Sequence, residues 1–202
     1  MNLTLIPFGL IEETNEFVDV HDVQRGQKCN CICPSCKTPL VARQKDIAWH
    51  FAHSSKKVYE KTRNECDYSF FLSVRMMARQ LIGSKVILGL PEYSGFVQGA
   101  IGESYDHEYI TEDFVVTQEK NITIDNIEVE TLFSGVHVDI VGSINDFKFV
   151  IYFTHPNRDT PSELFNPDLN KCGVISVSLD SLPDFFSQAR EEEKSYKSAL
   201  IE

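Results

Sequence analysis

Cys33-Pro-Ser-Cys36 sets two thiols three residues apart, the spacing at which a tight turn presents both sulfurs to one point. His50-Phe-Ala-His53 and Cys66 follow within one small module. A structural zinc ion takes four Cys or His ligands in a tetrahedron, so the first pair needs a second from further along the chain. Residues three apart on a strand point to opposite faces, which allows only one of the two histidines to serve. His53 stands where the strand must end and turn, and it completes the set Cys33, Cys36, His53 and Cys66, with His50 as its substitute. Cys29 and Cys31 alternate with Cys33, but no matching partner is left over for them.

The compartment matters to this chemistry. Residues 1–13 lack the basic start, apolar core and small-residue cleavage site of a secretory signal. A cytoplasmic, reducing location is therefore expected, where paired cysteines favour metal over disulfide. No apolar run is long enough to span a bilayer, so no membrane partner is expected.

The formal net charge of −11 argues against broad adhesion to nucleic acid, whose phosphates are gripped by clustered Lys and Arg. The distribution is uneven, however. Arg25, Lys28, Lys37, Arg43, Lys45 and the lysines near residue 60 make the first third basic, whereas 103–130 is acidic. A basic head on an acidic body admits nucleic acid or a protein as partner. Apolar residues make up 42% of the chain and include fourteen Phe, enough for a packed core.

Elements that would position these residues can be read from periodicity. Leu3, Leu5 and Ile6, then Phe17, Val18 and Val20, read as strands, as do 39–43 and 48–51. Residues 54–64 read as a polar, basic loop. Phe70, Phe71, Val74, Met77, Ala78, Leu81 and Ile82 make one apolar stripe, predicting a helix over 67–82 that packs through Phe71, Val74 and Ala78. A short strand is expected at 85–90 and a loop at 91–102. Three strands at hairpin spacing, 127–133, 136–144 and 147–155, predict an antiparallel meander. A short helix at 160–169, a strand at 173–179 and a helix from Leu182 with Phe185, Phe186 and Ala189 inward complete the chain. The order in the second part is helix, meander, helix, strand, helix, an α/β sandwich.

Cys33-Pro-x-Cys36, Leu40, Arg43, His50-Phe-Ala-His53 and Cys66 resemble the N-terminal module of competence protein CoiA-like proteins. Val138-Asp139-Ile140, followed by Phe149 to Thr154-His155, resembles the nuclease-like domain of the same family. The resemblance implies a zinc-ribbon-like module over 1–66 and a PD-(D/E)xK, restriction-endonuclease-like α/β domain over 67–202. It also implies a catalytic Asp on the second meander strand, with Glu and Lys on the third. Two carboxylates would hold Mg²⁺ and a Lys would steady the attacking hydroxide. Asp139 matches, but Val150 and Tyr152 stand at the Glu and Lys positions, and the family's helix residues are replaced by Tyr68-Ser69, Leu72 and Met76. Glu130 and Glu128 on the neighbouring strand and Lys148 two residues before Val150 are the candidate replacements. Zn²⁺ is thus the expected structural ion, and Mg²⁺ is expected only if the nuclease site is active. The implied role is a nucleic-acid-associated or complex-forming subunit in DNA processing or defence. Its alternatives are an active nuclease with relocated ligands and a protein-interaction scaffold.

Overall fold

The computed structural model describes residues 5–45, 48–54, 66, 69–83, 85–101, 108–165 and 172–201. It is a mixed α+β chain in which strands predominate. The first part holds β1 (Phe8–Ile11), β2 (Phe17–Asp19), a 3₁₀ turn (Gln27–Cys29), β3 (Cys31–Ile32), β4 (Leu40–Arg43) and β5 (His50–His53). β2, β1 and β3 form one small sheet, and β4 pairs with β5. The strands expected at 17–20, 39–43 and 48–51 are present with shifted ends. Of the one expected over Leu3, Leu5 and Ile6, Leu3 lies outside the described residues and Ile6 makes a single bridge to Phe51, the first strand starting at Phe8. The loop expected at 54–64 lies almost wholly outside the described residues.

α1 (Phe70–Leu81) follows. Ser69 starts it by accepting a hydrogen bond from the Leu72 amide at 3.4 Å, a serine N-cap. Phe70, Phe71, Val74 and Met77 are buried along one face, each contributing roughly 1.5–3 kcal/mol of transfer free energy. Ala78, expected as a main contact, is only half-buried, because the stripe turns toward Met77. α1 packs against the strand Val136–Ile144 of the main sheet and also touches β1 and β2.

The main sheet runs β12 (Cys172–Ser178), β11 (Phe147–Thr154), β10 (Val136–Ile144), β9 (Lys120–Phe133), β6 (Lys85–Leu90). β9, β10 and β11 are antiparallel neighbours in sequence order, as the hairpin spacing predicts. Ser134 and Gly135 both have positive φ, the conformation a two-residue hairpin turn needs. β12 runs parallel to β11 after a 3₁₀ turn at Ser162–Leu164; of the short helix expected at 160–169, residues 166–169 lie outside the described residues. The fourteen residues of β9 stay in one sheet by bending: Asn126 and Glu130 take positive φ. Near Asn126 the register against β10 slips by one residue, a β-bulge.

Gly142 makes that bend possible. A Cβ there would meet Ile124 Cγ2 at 2.4 Å, Ile127 Cδ1 at 2.8 Å and the Asp125 carbonyl at 3.0 Å. Gly142→Ala is expected to cost about 1–3 kcal/mol, seen as a lower urea midpoint at unchanged slope. A midpoint equal to wild type would show that β9 tolerates a different bend.

The stretch 91–102, expected as a loop, is mostly strand: β7 (Tyr93–Ile101) pairs with β8 (Glu108–Thr117) in a hairpin apart from the main sheet. Both its faces mix polar and apolar residues, so no period-2 signal stands out. Phe96, Val97 and Phe114 remain exposed.

α2 (Leu182–Glu191) buries Pro183, Phe186 and Ala189; Phe185, expected inward, is 57% exposed. α3 (Tyr196–Ile201), not foreseen, closes over the head. The Tyr196 hydroxyl donates to the Trp49 carbonyl at 3.0 Å, and the Lys197 amide donates to Asp19 Oδ2 at 2.6 Å. Asp19 is fully buried and also holds His21 Nδ1 at 2.6 Å. One hydrophobic cluster runs from Phe8, Leu40 and Phe51 through Phe70 and Met77 to Ile140, Ile151 and Phe186, drawing on both sides of residue 66.

Candidate metal centre

The knuckle between β3 and β4 is built by backbone hydrogen bonds. The Lys37 amide donates to the Cys33 carbonyl at 2.9 Å, and the Cys33 amide donates to the Thr38 carbonyl at 2.9 Å. Lys37 takes positive φ to close the turn. The Cys36 amide points at Cys33 Sγ, 3.5 Å away. β4 then pairs with β5 so that His53 lies opposite Leu40, beside the knuckle. Hairpin register therefore selects His53. His50, opposite Arg43 at the far end of the hairpin, donates from Nδ1 to the Ala48 carbonyl at 2.9 Å, so its substitute role has no support.

Cys66 Sγ sits 3.4 Å from Cys33 Sγ, and neither is in a disulfide. Ligand atoms of Cys33, Cys36, His53 and Cys66 all lie within 4.8 Å of one another. A tetrahedron with Zn–S bonds of about 2.3 Å has edges near ~3.8 Å, so a small contraction suffices. His53 Nε2 is buried without a hydrogen-bond partner, alone in this among side-chain atoms of the described residues. An unsatisfied buried nitrogen costs about 1–3 kcal/mol, and a metal removes that cost. Three sulfurs and one imidazole suit zinc and leave no open position for catalysis. Burial pushes the Cys33 thiol up. At Cys36 burial acts the same way, but hydrogen bonds from Thr38 and the neighbouring thiols outweigh it and lower the value. Cys29 and Cys31 stay apart from the cluster as buried thiols: Cys29 donates to the Leu40 carbonyl and Cys31 to the Cys29 carbonyl.

Asp139, the candidate catalytic remnant, is fully buried on β10 and surrounded by guanidinium groups. Its Oδ1 accepts from Arg75 Nη2 at 3.0 Å and Arg79 Nη2 at 2.6 Å. Its Oδ2 accepts from Arg158 Nη1 at 2.7 Å and from the Phe153 amide at 2.8 Å. The β10–β11 ladder ends at Ile140 and Ile151, and the Asp139 carboxylate serves the next free amide of β11 in its place. Burial alone would raise the carboxyl; Arg75, the Phe153 amide, Arg158 and Arg79 together hold it below its ordinary value.

Both oxygens are thus engaged by donors, and cations occupy the approach a divalent ion would need. Glu130 meets Arg79 Nη1 at 2.9 Å instead of converging with Asp139 on one point. Lys148 pairs with Ser143 in the ladder, whereas Asp139 lies beyond the Ile140–Ile151 pair at its other end, so Lys148 does not join the cluster. Val150 is buried, and Tyr152 lies under the Arg158 guanidinium, 3.6 Å from its ring centre.

Residues 11–73 match the family model of a domain of unknown function, DUF7828. No curated protein and no solved structure matches the chain. The DUF7828 match covers less than half the chain, but it contains all four clustered ligands and ends inside the first turn of α1. The arginines around Asp139 lie beyond the DUF7828 segment. Sequence reasoning missed them, although a signal existed. Arg75 and Arg79 are four apart on one helix and therefore share a face. Two cations beside an otherwise apolar stripe call for a buried anion, and Asp139 is the acid flanked by Val138 and Ile140.

Proposed function

We propose that the chain is a zinc-stapled, CoiA-like protein with a restriction-endonuclease-like body. Its acidic catalytic site has become a structural arginine–aspartate strut. It acts as a nucleic-acid-associated or complex-forming subunit in DNA processing or defence. The observation that carries this reading is the engagement of both Asp139 oxygens by three arginines and a backbone amide. A Mg²⁺ site draws on carboxylates and water, and here the carboxylate has guanidinium groups on the approach side. The exposed Arg25, Lys28, Lys37, Arg43 and Lys45 of the head supply the charge a phosphate backbone would meet.

Zinc-loaded protein incubated with single- or double-stranded DNA and Mg²⁺ or Mn²⁺ is expected to leave the DNA intact. Cutting that co-purifies with the chain and disappears in Asp139→Asn would overturn the reading.

A protein partner is the second reading, favoured by the exposed Phe96, Val97 and Phe114 on the β7–β8 hairpin. Salt separates the two, because counterion release makes nucleic-acid binding fall steeply with ionic strength, whereas apolar docking does not. Among the described residues no helix is long and apolar enough to cross a membrane.

A further inference from the structure

A cleft of about 530 Å³ lies between the first turn of α1 and the turn after β11, walled in part by Cys66, Ser69, Arg75, His155, Asn157 and Arg158. Two of the guanidiniums that serve Asp139 therefore also line this space. Arg158 uses Nη1 for Asp139 and the Phe153 carbonyl, and its Nε and Nη2 make no hydrogen bond among the described residues. Arg75 uses Nε and Nη2, leaving Nη1. His155 stacks flat on Phe71, 5.1 Å between ring centres, and its Nδ1 accepts from the Asn157 amide at 3.3 Å. In the neutral ring the proton then sits on Nε2, a further donor. Ser69 caps α1 at the same cleft, where the helix presents its positive end.

The charge balance favours an anion. Arg75, Arg79 and Arg158 share the single buried carboxylate of Asp139. Among the described residues the other acid bound to them is Glu130, 67% exposed and bonded to Arg79 alone, while the exposed Asp180 acts on His155 through space without bonding to the arginines. A zinc ion with three thiolates would carry one negative charge on the Cys66 wall, so the favourable end is the far one, at Arg158, Asn157 and His155.

We propose that this cleft binds a phosphate group, held by the free edges of Arg158 and Arg75 with His155 beside them. Guanidinium forks match phosphate oxygens, and a tetrahedral anion carries oxygens enough to accept from both walls of the cleft at once. Phosphate from a nucleic-acid strand deepens the function proposed above and rests on it for the source alone; free phosphate shares the chemistry.

The test uses the zinc-loaded full chain, with the His155 ring followed by NMR during titration with inorganic phosphate and then with a 5′-phosphorylated single-stranded oligonucleotide. Asn157 is exposed in a turn, so Asn157→Asp adds a like charge at the mouth without touching the Asp139 network. Phosphate is expected to shift the His155 signals, and Asn157→Asp to weaken that binding at least about tenfold. Displacement of inorganic phosphate by the oligonucleotide would support a nucleic-acid source. An oligonucleotide that fails to displace it supports the cleft as a free-phosphate site and counts against nucleic acid there. A His155 ring unmoved by phosphate, or wild-type affinity in Asn157→Asp, overturns the proposal. Neither result bears on whether the chain cuts DNA, which the Mg²⁺ and Mn²⁺ incubation decides separately.

Discussion

Cys36→Ser is expected to abolish zinc binding and unfold the head. The unsubstituted protein should hold close to one zinc per chain, with absorption spectroscopy giving Zn–S distances of about 2.3 Å. A structural zinc site supplies apparent free energies of about 10–16 kcal/mol, comparable with the whole stability of an ordinary domain at about 5–15 kcal/mol. The knuckle has little else to hold it. Its ligands come from the β3–β4 turn, the end of β5 and Cys66, joined mainly by a few backbone hydrogen bonds and the thiols themselves. Without metal, the buried His53 nitrogen and the crowded thiols are left as costs. The loss should spread, because Cys33 belongs to the same hydrophobic cluster as Phe70 and Met77 of α1. A chelator should reproduce the effect of the substitution. So should acid, since protons compete for ligands that bind zinc as thiolate and neutral imidazole. Wild-type protein without zinc, or a Cys36→Ser variant that melts like wild type, would sink the assignment.

Asp139→Ala is expected to destabilise the body by about 3–5 kcal/mol, the usual cost of stripping one partner from a buried ion pair. Three guanidiniums would lose their shared acceptor, and the Phe153 amide would lose its partner with them. Thermal or urea unfolding measures this directly. A catalytic aspartate held only for chemistry behaves in the opposite way, since its removal costs activity and little stability. The same pairing fixes a pH dependence. The folded carboxyl titrates below its ordinary value, so its contribution is complete above the ordinary carboxylate range and is lost as pH falls through the folded value. The variant should therefore lose the carboxylate's share of the acid sensitivity expected of wild type, while the share from proton competition at the metal cluster remains. An Asp139→Ala protein as stable as wild type would mean that the arginines are satisfied by solvent and that the strut is not structural.

The elements that were legible in the sequence are those with a strong period or a strong local signal. α1 shows an apolar stripe, though its serine cap at Ser69 emerged only from the fold, and the meander shows turns at hairpin spacing. The Cys and His residues that cluster were legible because metal chemistry restricts both residue type and spacing, and strand alternation allowed only one of His50 and His53. The β7–β8 hairpin was not legible, since Phe96 opposes Asp113 and Val97 opposes Glu112, which erases the alternation of a half-buried strand. α3 was missed for a different reason: it is six residues long, and what holds it is tertiary, Asp19 and Trp49 far away in the chain. Asp139 was found, but its role was inferred from family pattern. Its partners Arg75, Arg79 and Arg158 come from a helix and a turn that only the fold brings together.

That distant latch has a consequence for how the protein is made. The Asp19 carboxylate is buried under an amide 178 positions later, so the head cannot reach its final state while a ribosome still holds the region of Lys197. Until then an emerging chain exposes the His21 and Trp49 surface that Tyr196 covers. Contacts of such long sequence separation form late and slowly. The arrival of α3 is thus a late checkpoint in the folding of the head.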